Sequence, residues 1–495
     1  MSRRVGRSLV GRVVGRVVGR VVGRGRGRAV SALGAAMCAV AVPLVVVALP
    51  GVAAAQDSAS YVFAQGAMTV QGAMTSTDAA ELKSGETYRS SIEAGVKGTG
   101  LGSGSSAKGA AGTRYYRVAL DGSSDTYVSA VAVPKAGADV KLAFNDSISV
   151  TLQDRQGNRC DSEVAAFRSA EYPRPIAATA ERVVREGGGR CQDAGTYDVV
   201  VARKTAPDST RERWALELRV SSEPALKSPP ATTGPGAWSS TAPRPPAGIP
   251  SERRGGTGFN DARSLRQGVW KDRIRPGQTL FYRVPLDWGQ QLFTEAELGS
   301  SAGDAQRKGF VPSALNVTLF NPARTPVTSK DASYGGEPSV AALDSLPPVA
   351  YENRYLSRAD EAGVRFAGWY YLRVSLTPEM KGTFGNKESG LTLRLTVHGD
   401  AASAPTYVRD PGVFQVTAAD RAAAERGFAQ GGGSSLPSGG SRSGGQSGGQ
   451  AEPGASGRTN RMTVVGIAGI GTGSVLVLGL GVWTYVARRR APAGW

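Results

Sequence analysis

The middle of this 495-residue chain is written twice. Tyr115, Tyr116, Arg117, Val118, Ala119, Leu120 and Asp121 return as Phe281, Tyr282, Arg283, Val284, Pro285, Leu286 and Asp287. Upstream, Leu82, Gly85, Ile92 and Gly95 match Leu265, Gly268, Ile274 and Gly277. Downstream, Ile148, Val150, Thr151, Leu152 and Asp154 match Leu315, Val317, Thr318, Leu319 and Asn321; Ala194, Gly195 and Tyr197 match Ala367, Gly368 and Tyr370. Leu216, Leu218 and Val220 align with Leu393, Leu395 and Val397. Blocks that recur in one order exclude a single large catalytic domain, because each copy must close its own core.

Each block alternates apolar and polar residues and is bounded by Gly, Asp, Asn or Pro, the period-2 pattern of half-buried strands. No long helical periodicity interrupts residues 59–400. Several short strands per copy, each needing a second sheet to cover its apolar face, predict an all-β fold of two tandem antiparallel sandwiches. Tyr116, Val118, Leu120, Val150, Leu152 and Tyr197, with Tyr282, Val284, Leu286, Val317, Leu319 and Tyr370, occupy the matched core positions.

A Tyr-Arg-Val strand, a Val-Thr-Leu-x-Asp strand ending in a turn, and an Ala-Gly-x-Tyr strand resemble the bacterial pre-peptidase C-terminal domain. The resemblance covers residues 78–222 and 259–400. It implies a jelly-roll-like sandwich and an exported compartment rather than a reaction; no protease domain accompanies the copies here.

The chain carries 59 Lys plus Arg against 41 Asp plus Glu. Nine arginines from Arg3 to Arg28 and three from Arg488 to Arg490 lie at the termini, so the domains between are only mildly basic. Nucleic acid is therefore not an expected partner. Residues 1–55 combine that basic stretch, a GRVV repeat, with an apolar run from Ala29 to Leu49 and small residues before Gln56, and resemble a secretory signal. Residues 462–487 hold no charge and are long enough to cross a bilayer, with Trp483 and Tyr485 at interfacial depth and a basic tail at 488–495. A single-pass membrane protein with an extracytoplasmic N-terminal ectodomain is the expectation. Between the copies, 223–258 is proline-rich and predicts a semi-rigid spacer; 401–430 carries a short helix capped by Thr417; 431–460 is a Gly/Ser tether.

Chemistry-bearing residues are few. Cys160 and Cys191 form an even pair in an exported chain and predict a disulfide. The single histidine, His398, closes the last strand of the second copy, so Ser-His-Asp and His-ligated zinc sites have no basis. Asp121 with Asp125, or Asp154 with Asp161, are carboxylate pairs for calcium, but their spacing matches no known loop and ordinary turns explain them. No catalytic residue, metal site or cofactor is expected.

The copies differ on the face opposite the core. The first carries Tyr115, Arg117, Gln153, Thr196 and Asp198 there; the second carries Phe281, Arg283, Phe320, Trp369 and Tyr371. Flat aromatics beside a guanidinium suit sugar stacking or an interface hot spot. The same face would equally be covered by the second copy's insertion, or by Tyr407, Phe414 and the short helix. The expected function is non-catalytic binding or scaffolding in the cell envelope, with an envelope protein or a cell-wall glycan as partner. A carboxylate-dependent hydrolase is the alternative of another class.

Overall fold

The computed structural model describes residues 61–427, apart from 96–110, 138, 170, 186, 229–230 and 302–308. The expected leader at 1–55, the tether, the apolar span 462–487 and its basic tail lie outside the described residues. Among the described residues no helix is long and apolar enough to cross a membrane.

The first copy contributes β1 (Met68–Thr69), β2 (Ala80–Leu82), β3 (Thr87–Ile92), β4 (Thr113–Leu120), β5 (Asp125–Val133), β6 (Ser147–Gln153), β7 (Arg159–Ala166), β8 (Ile176–Arg182), β9 (Gly195–Lys204) and β10 (Trp214–Glu223). They form two five-stranded sheets ordered β1-β3-β10-β5-β8 and β2-β4-β9-β6-β7. The second copy contributes β11 (Ser251–Glu252), β12 (Arg263–Ser264), β13 (Gly268–Ile274), β14 (Thr279–Leu286), β15 (Gln291–Leu298), β16 (Val311–Phe320), β17 (Pro326–Tyr334), β18 (Ser339–Ala342), β19 (Gly368–Leu376) and β20 (Ser389–His398). Its sheets are ordered β11-β13-β20-β15-β18 and β12-β14-β19-β16-β17. Each second-copy strand thus stands where its counterpart, ten numbers earlier, stands in the first. All pairings are antiparallel except those of the short strands that open each sheet, which run parallel to their neighbours. These edge strands start the copies at Met68 and Ser251, upstream of the positions 78 and 259 expected from the repeat.

The predicted core holds. All six matched residues of each copy lie in that copy's own buried cluster, between its two sheets. One alignment block is corrected. Leu218 lies opposite Tyr88 and Ala130, while Leu393 lies opposite the equivalent Trp270 and Ala296, so Leu218 corresponds to Leu393 and not to Leu395. A slip of two keeps every side chain on its face, and an alternating leucine strand therefore cannot fix its own register from sequence.

Alternation of burial survives in some strands and disappears in others. In β9, β15 and β20 buried and half-buried residues alternate. In β5 and β19 nearly every residue is buried, which requires cover on both faces. That cover is the other sandwich. The outer face of the β5/β8/β10 sheet meets the outer face of the β14/β16/β19 sheet, with Val131 and Ala177 of the first copy in one cluster with Phe281, Phe320 and Tyr371 of the second. The described residues accordingly belong to one compact unit.

The proline-rich segment is not a free spacer. Lys227 N donates to Thr406 O at 2.8 Å, and the carbonyls of Ser239 and Ser240 accept from Gln291 Nε2 and Ser345 Oγ at 3.0 and 2.8 Å. After β20, Tyr407 bridges to Leu226, and Phe414 is buried against Tyr127 of the first copy and Phe366 of the second rather than adding a strand. After the short helices α1 (Ala359–Ala362) and α2 (Met380–Phe384), helix α3 (Ala418–Arg426) carries the expected Thr417 cap, completed by Asp420 as a capping box, and packs on β12 and β14.

Candidate functional site

The seam between the sandwiches concentrates the charged chemistry of the described residues. On β5, β8 and β10, residues two apart share a face, which places Asp125, Glu181, Glu217 and Glu223 on the outer side of the first copy. The second copy presents arginines from the β16–β17 turn and from the long connection before β19. Glu217 takes Arg324, Glu181 takes Arg365, and Asp125 and Glu223 share Arg354 at 3.0 and 2.9 Å. Arg409, beyond β20, adds Asp121 at 2.8 Å. Each of these bridges runs from a first-copy acid to an arginine downstream, so the faces are electrostatically complementary.

Two of these contacts are networks. Glu217 is fully buried and also accepts from Tyr61 Oη, from the Ala64 amide at 3.0 Å, and from Asn260 Nδ2. Arg324 in turn donates to Asn260 Oδ1 at 2.9 Å and lies over the Phe259 ring. Residue 324 has φ 65°, a left-handed conformation costly for arginine. Glu223 accepts from Tyr127 Oη at 3.2 Å and Tyr407 Oη at 2.9 Å besides Arg354. Burial first, and then the neighbouring Glu223, push the Asp125 carboxyl up to about 6 against the pull of Arg354. Arg373 is held without a carboxylate, donating to Pro175 O and Thr318 Oγ1, and burial with Arg174 nearby pulls it down to about 9.

A cleft of about 470 Å³ opens where the linker, the β14–β15 turn, residues 349–352 and residues 402–406 converge. Its floor includes Trp288, and Tyr351 lies on its wall. Arg354 packs over the Tyr351 ring at 3.4 Å, so the cleft sits directly beside the Asp125–Arg354–Glu223 cluster. The lining is mostly apolar, with Ser228, Glu352, Ser403 and Thr406 as polar groups, which suits noncovalent capture of a ligand.

Of the two readings of the second copy's aromatic face, open to a ligand or covered by other parts of the chain, the burial accords with the covered one. Phe281 and Phe320 are fully buried and Tyr371 is nearly so, their rings 5.0 to 5.2 Å from Phe259, which wedges between the copies. Arg283 lies buried over Trp369 at 4.2 Å, and Trp369 Nε1 donates to Asp420 of α3 at 2.7 Å. The aromatics are large because the first sandwich, the arm at Tyr61 and α3 all rest on them.

The remaining expected residues have local roles. Cys160 and Cys191 are bonded, S–S 2.04 Å. Asp121 holds the amides of Ser123 and Ser124, Asp154 those of Gln156 and Asn158, and Asp161 that of Glu181. His398 is exposed at the end of β20. Asp125, which the sequence reads as an ordinary turn acid, is instead buried in the seam on Arg354, and Glu181, Glu217 and Glu223 give no sign of themselves in the sequence because an outward acid on a strand normally faces water. One signal was available: Asp125–Val133 is almost continuously apolar after Asp125, the pattern of a strand covered on both faces.

No protein-family model matches the chain, and no curated protein matches it. Among solved structures, it is similar to a chain of the T13 particle of IBDV, at 10% identity over 63% of this chain and 68% of that one, TM-score 0.19. It is similar to the ANXUR1 extracellular domain from Arabidopsis thaliana, at 10% identity over 66% and 93%, TM-score 0.17. It is also similar to the tandem CBM22 domains of Paenibacillus barcinonensis Xyn10C, at 8% identity over 58% and 82%, TM-score 0.16. Scores this low assign neither fold family nor function.

Proposed function

We propose that this chain is a non-catalytic, membrane-anchored extracytoplasmic scaffold that holds an envelope protein partner. The observation that carries the reading is the seam: two sandwiches locked face to face by buried acid–arginine pairs make one body in which the cleft beside Arg354 has a fixed shape. Fixed geometry lowers the ordering cost of docking, which is what a scaffold needs. The pre-peptidase C-terminal resemblance and the tethered single-pass layout read from the sequence accord with this role. The burial of Tyr371 and the hydrogen bond from Trp369 to Asp420 count against a glycan module stacking sugars on that face.

A photo-crosslinker placed at Glu352 or Ser403 of the full chain in native membranes tests the reading. A discrete protein adduct from these cleft positions, absent when the crosslinker sits at exposed Lys271, supports it. Equal labelling from all positions, or turnover of a wall polymer that one carboxylate substitution abolishes, overturns it.

A further inference from the structure

A smaller cavity of about 280 Å³ lies beside the disulfide, where β7 and β8, edge strands of opposite sheets, come together. Four arginines line it: Arg159, Arg182, Arg185 and Arg190. Both acids among its described lining residues have partners of their own. Asp161 accepts the Glu181 amide at 2.9 Å, and the Glu181 carboxylate is paired with Arg365 across the seam.

Arg182 is the residue that needs an explanation. Ile176, Ala178 and Ala180 of β8 point into the core of the first sandwich, and Arg182, two residues on, points the same way at the end of that core. It is 1% exposed and lies 5.8 Å over the Tyr197 ring. Nη2 donates to the Asp121 carbonyl; Nε and Nη1 are buried with no hydrogen-bond acceptor. Among the described residues no other arginine leaves two buried guanidinium nitrogens unmet. A guanidinium stays protonated inside a protein, and a buried charge without a counter-charge is costly.

The rim is built to stay in place. The Cys160–Cys191 bond ties β7 to the loop that follows β8. Gly187, Gly188 and Gly189, at φ 89°, 77° and 131°, turn that loop through conformations that other residues rarely adopt. Gln192 staples it by accepting from the Arg185 amide at 2.7 Å and donating to the Val183 and Arg190 carbonyls. Arg185 and Arg190 thus share one mouth with Arg159.

We propose that this cavity is an oxyanion site, taking a phosphate or sulfate group with exposed Arg159, Arg185 and Arg190 as its rim and Arg182 as the charge behind them. The low-dielectric wall around Arg182 leaves its attraction poorly screened, so it acts on an anion held at the rim. Disulfide and glycine turn then serve the site by keeping like charges together that would otherwise spread apart.

The test is calorimetry and thermal unfolding of the full chain with inorganic phosphate, against chloride at equal ionic strength. Saturable phosphate binding that raises the unfolding temperature is expected. It weakens about tenfold or more in R159A/R190A, since each removed contact is a charge-assisted one. These two side chains are exposed, so that variant folds; Arg182→Gln is the companion variant, with Arg182→Lys restoring binding in part. Vesicles of phosphatidylglycerol separate the sources: arginine-dependent vesicle binding identifies a headgroup phosphate, and phosphate saturation without it identifies a free ion. A thermal shift equal in chloride, or phosphate binding unchanged in R159A/R190A, overturns the proposal.

Discussion

Asp125→Asn is the sharpest probe of the seam. In the folded chain the Asp125 carboxyl is 8% exposed, faces Glu223 across the β5–β10 pair, and shares Arg354 with it. One guanidinium cannot neutralise two buried carboxylates, and the carboxyl rises to about 6 from an ordinary 3.8. A folded-state pKa above the unfolded one means that the folded chain binds the extra proton. The resulting stability is complete below pH 3.8 and is lost as pH rises through 6. A shift of about two units corresponds to ~3 kcal/mol between those limits. Asparagine keeps the shape and does not titrate. The stability of the variant minus that of wild type therefore increases by ~2.4 kcal/mol from pH 4 to pH 7, part of the ~3 kcal/mol being already lost at pH 4, and groups not coupled to Asp125 cancel in the difference. Urea unfolding of both chains, followed by tryptophan fluorescence at half-unit pH steps, measures it. A difference that stays flat refutes the account, and one that falls with pH shows that Arg354 outweighs burial and Glu223.

Three further outcomes follow from the same contacts. Arg354→Ala leaves Asp125 and Glu223 buried without their partner and costs about 3 to 5 kcal/mol; limited proteolysis then cuts the 224–250 segment at lower protease than in wild type. Arg324→Gly relieves about 1 kcal/mol of left-handed backbone strain but strands Glu217, for a net loss of roughly 2 to 4 kcal/mol; adding Glu217→Gln recovers part of it, and a double-mutant cycle in urea reads the coupling. Replacing Cys160 and Cys191 together by serine costs about 3 to 4 kcal/mol in the chain-entropy view of a loop with 31-residue separation, measured by thermal unfolding with and without reductant.

What the sequence made legible was whatever depends on period and turn chemistry. Alternation placed the strands and both cores, the cysteine count placed the disulfide, and Thr417 with Asp420 placed the helix. What it hid was which outward face meets which. An outward Glu217 on β10 and an outward Lys271 on β13 obey the same local rule, yet one is fully buried and the other exposed. Phe281, Phe320 and Tyr371 announced that something covers them; nothing local says that the cover is the other copy. The proline-rich segment misled because composition reports stiffness, while its docking depends on the Lys227 amide finding the Thr406 carbonyl and on the Ser239 and Ser240 carbonyls finding Gln291 and Ser345 in three dimensions.

The duplication itself explains why the seam forms once. The first copy offers its β1-β3-β10-β5-β8 sheet, and the second offers the counterpart of the other sheet, so the contact is head to tail and geometry alone would let it propagate. The matched positions on the second copy's corresponding sheet differ. Asp125 and Glu223, paired across β5 and β10, correspond to Gln291 and His398, paired across β15 and β20; by the same register Glu217 corresponds to Thr392. The corresponding face of the second copy therefore lacks acids at these matched positions; its outward acids are Glu295 and Glu297 on β15, the latter paired with Arg394 of the same sheet at 2.7 Å. At the opposite end, Arg324 follows Asn321 in a turn whose first-copy equivalent runs from Asp154 to Gly157, both residues being left-handed at φ 65° and 84°. Glycine adopts that conformation at no steric cost; arginine accepts it because Glu217 is waiting across the seam.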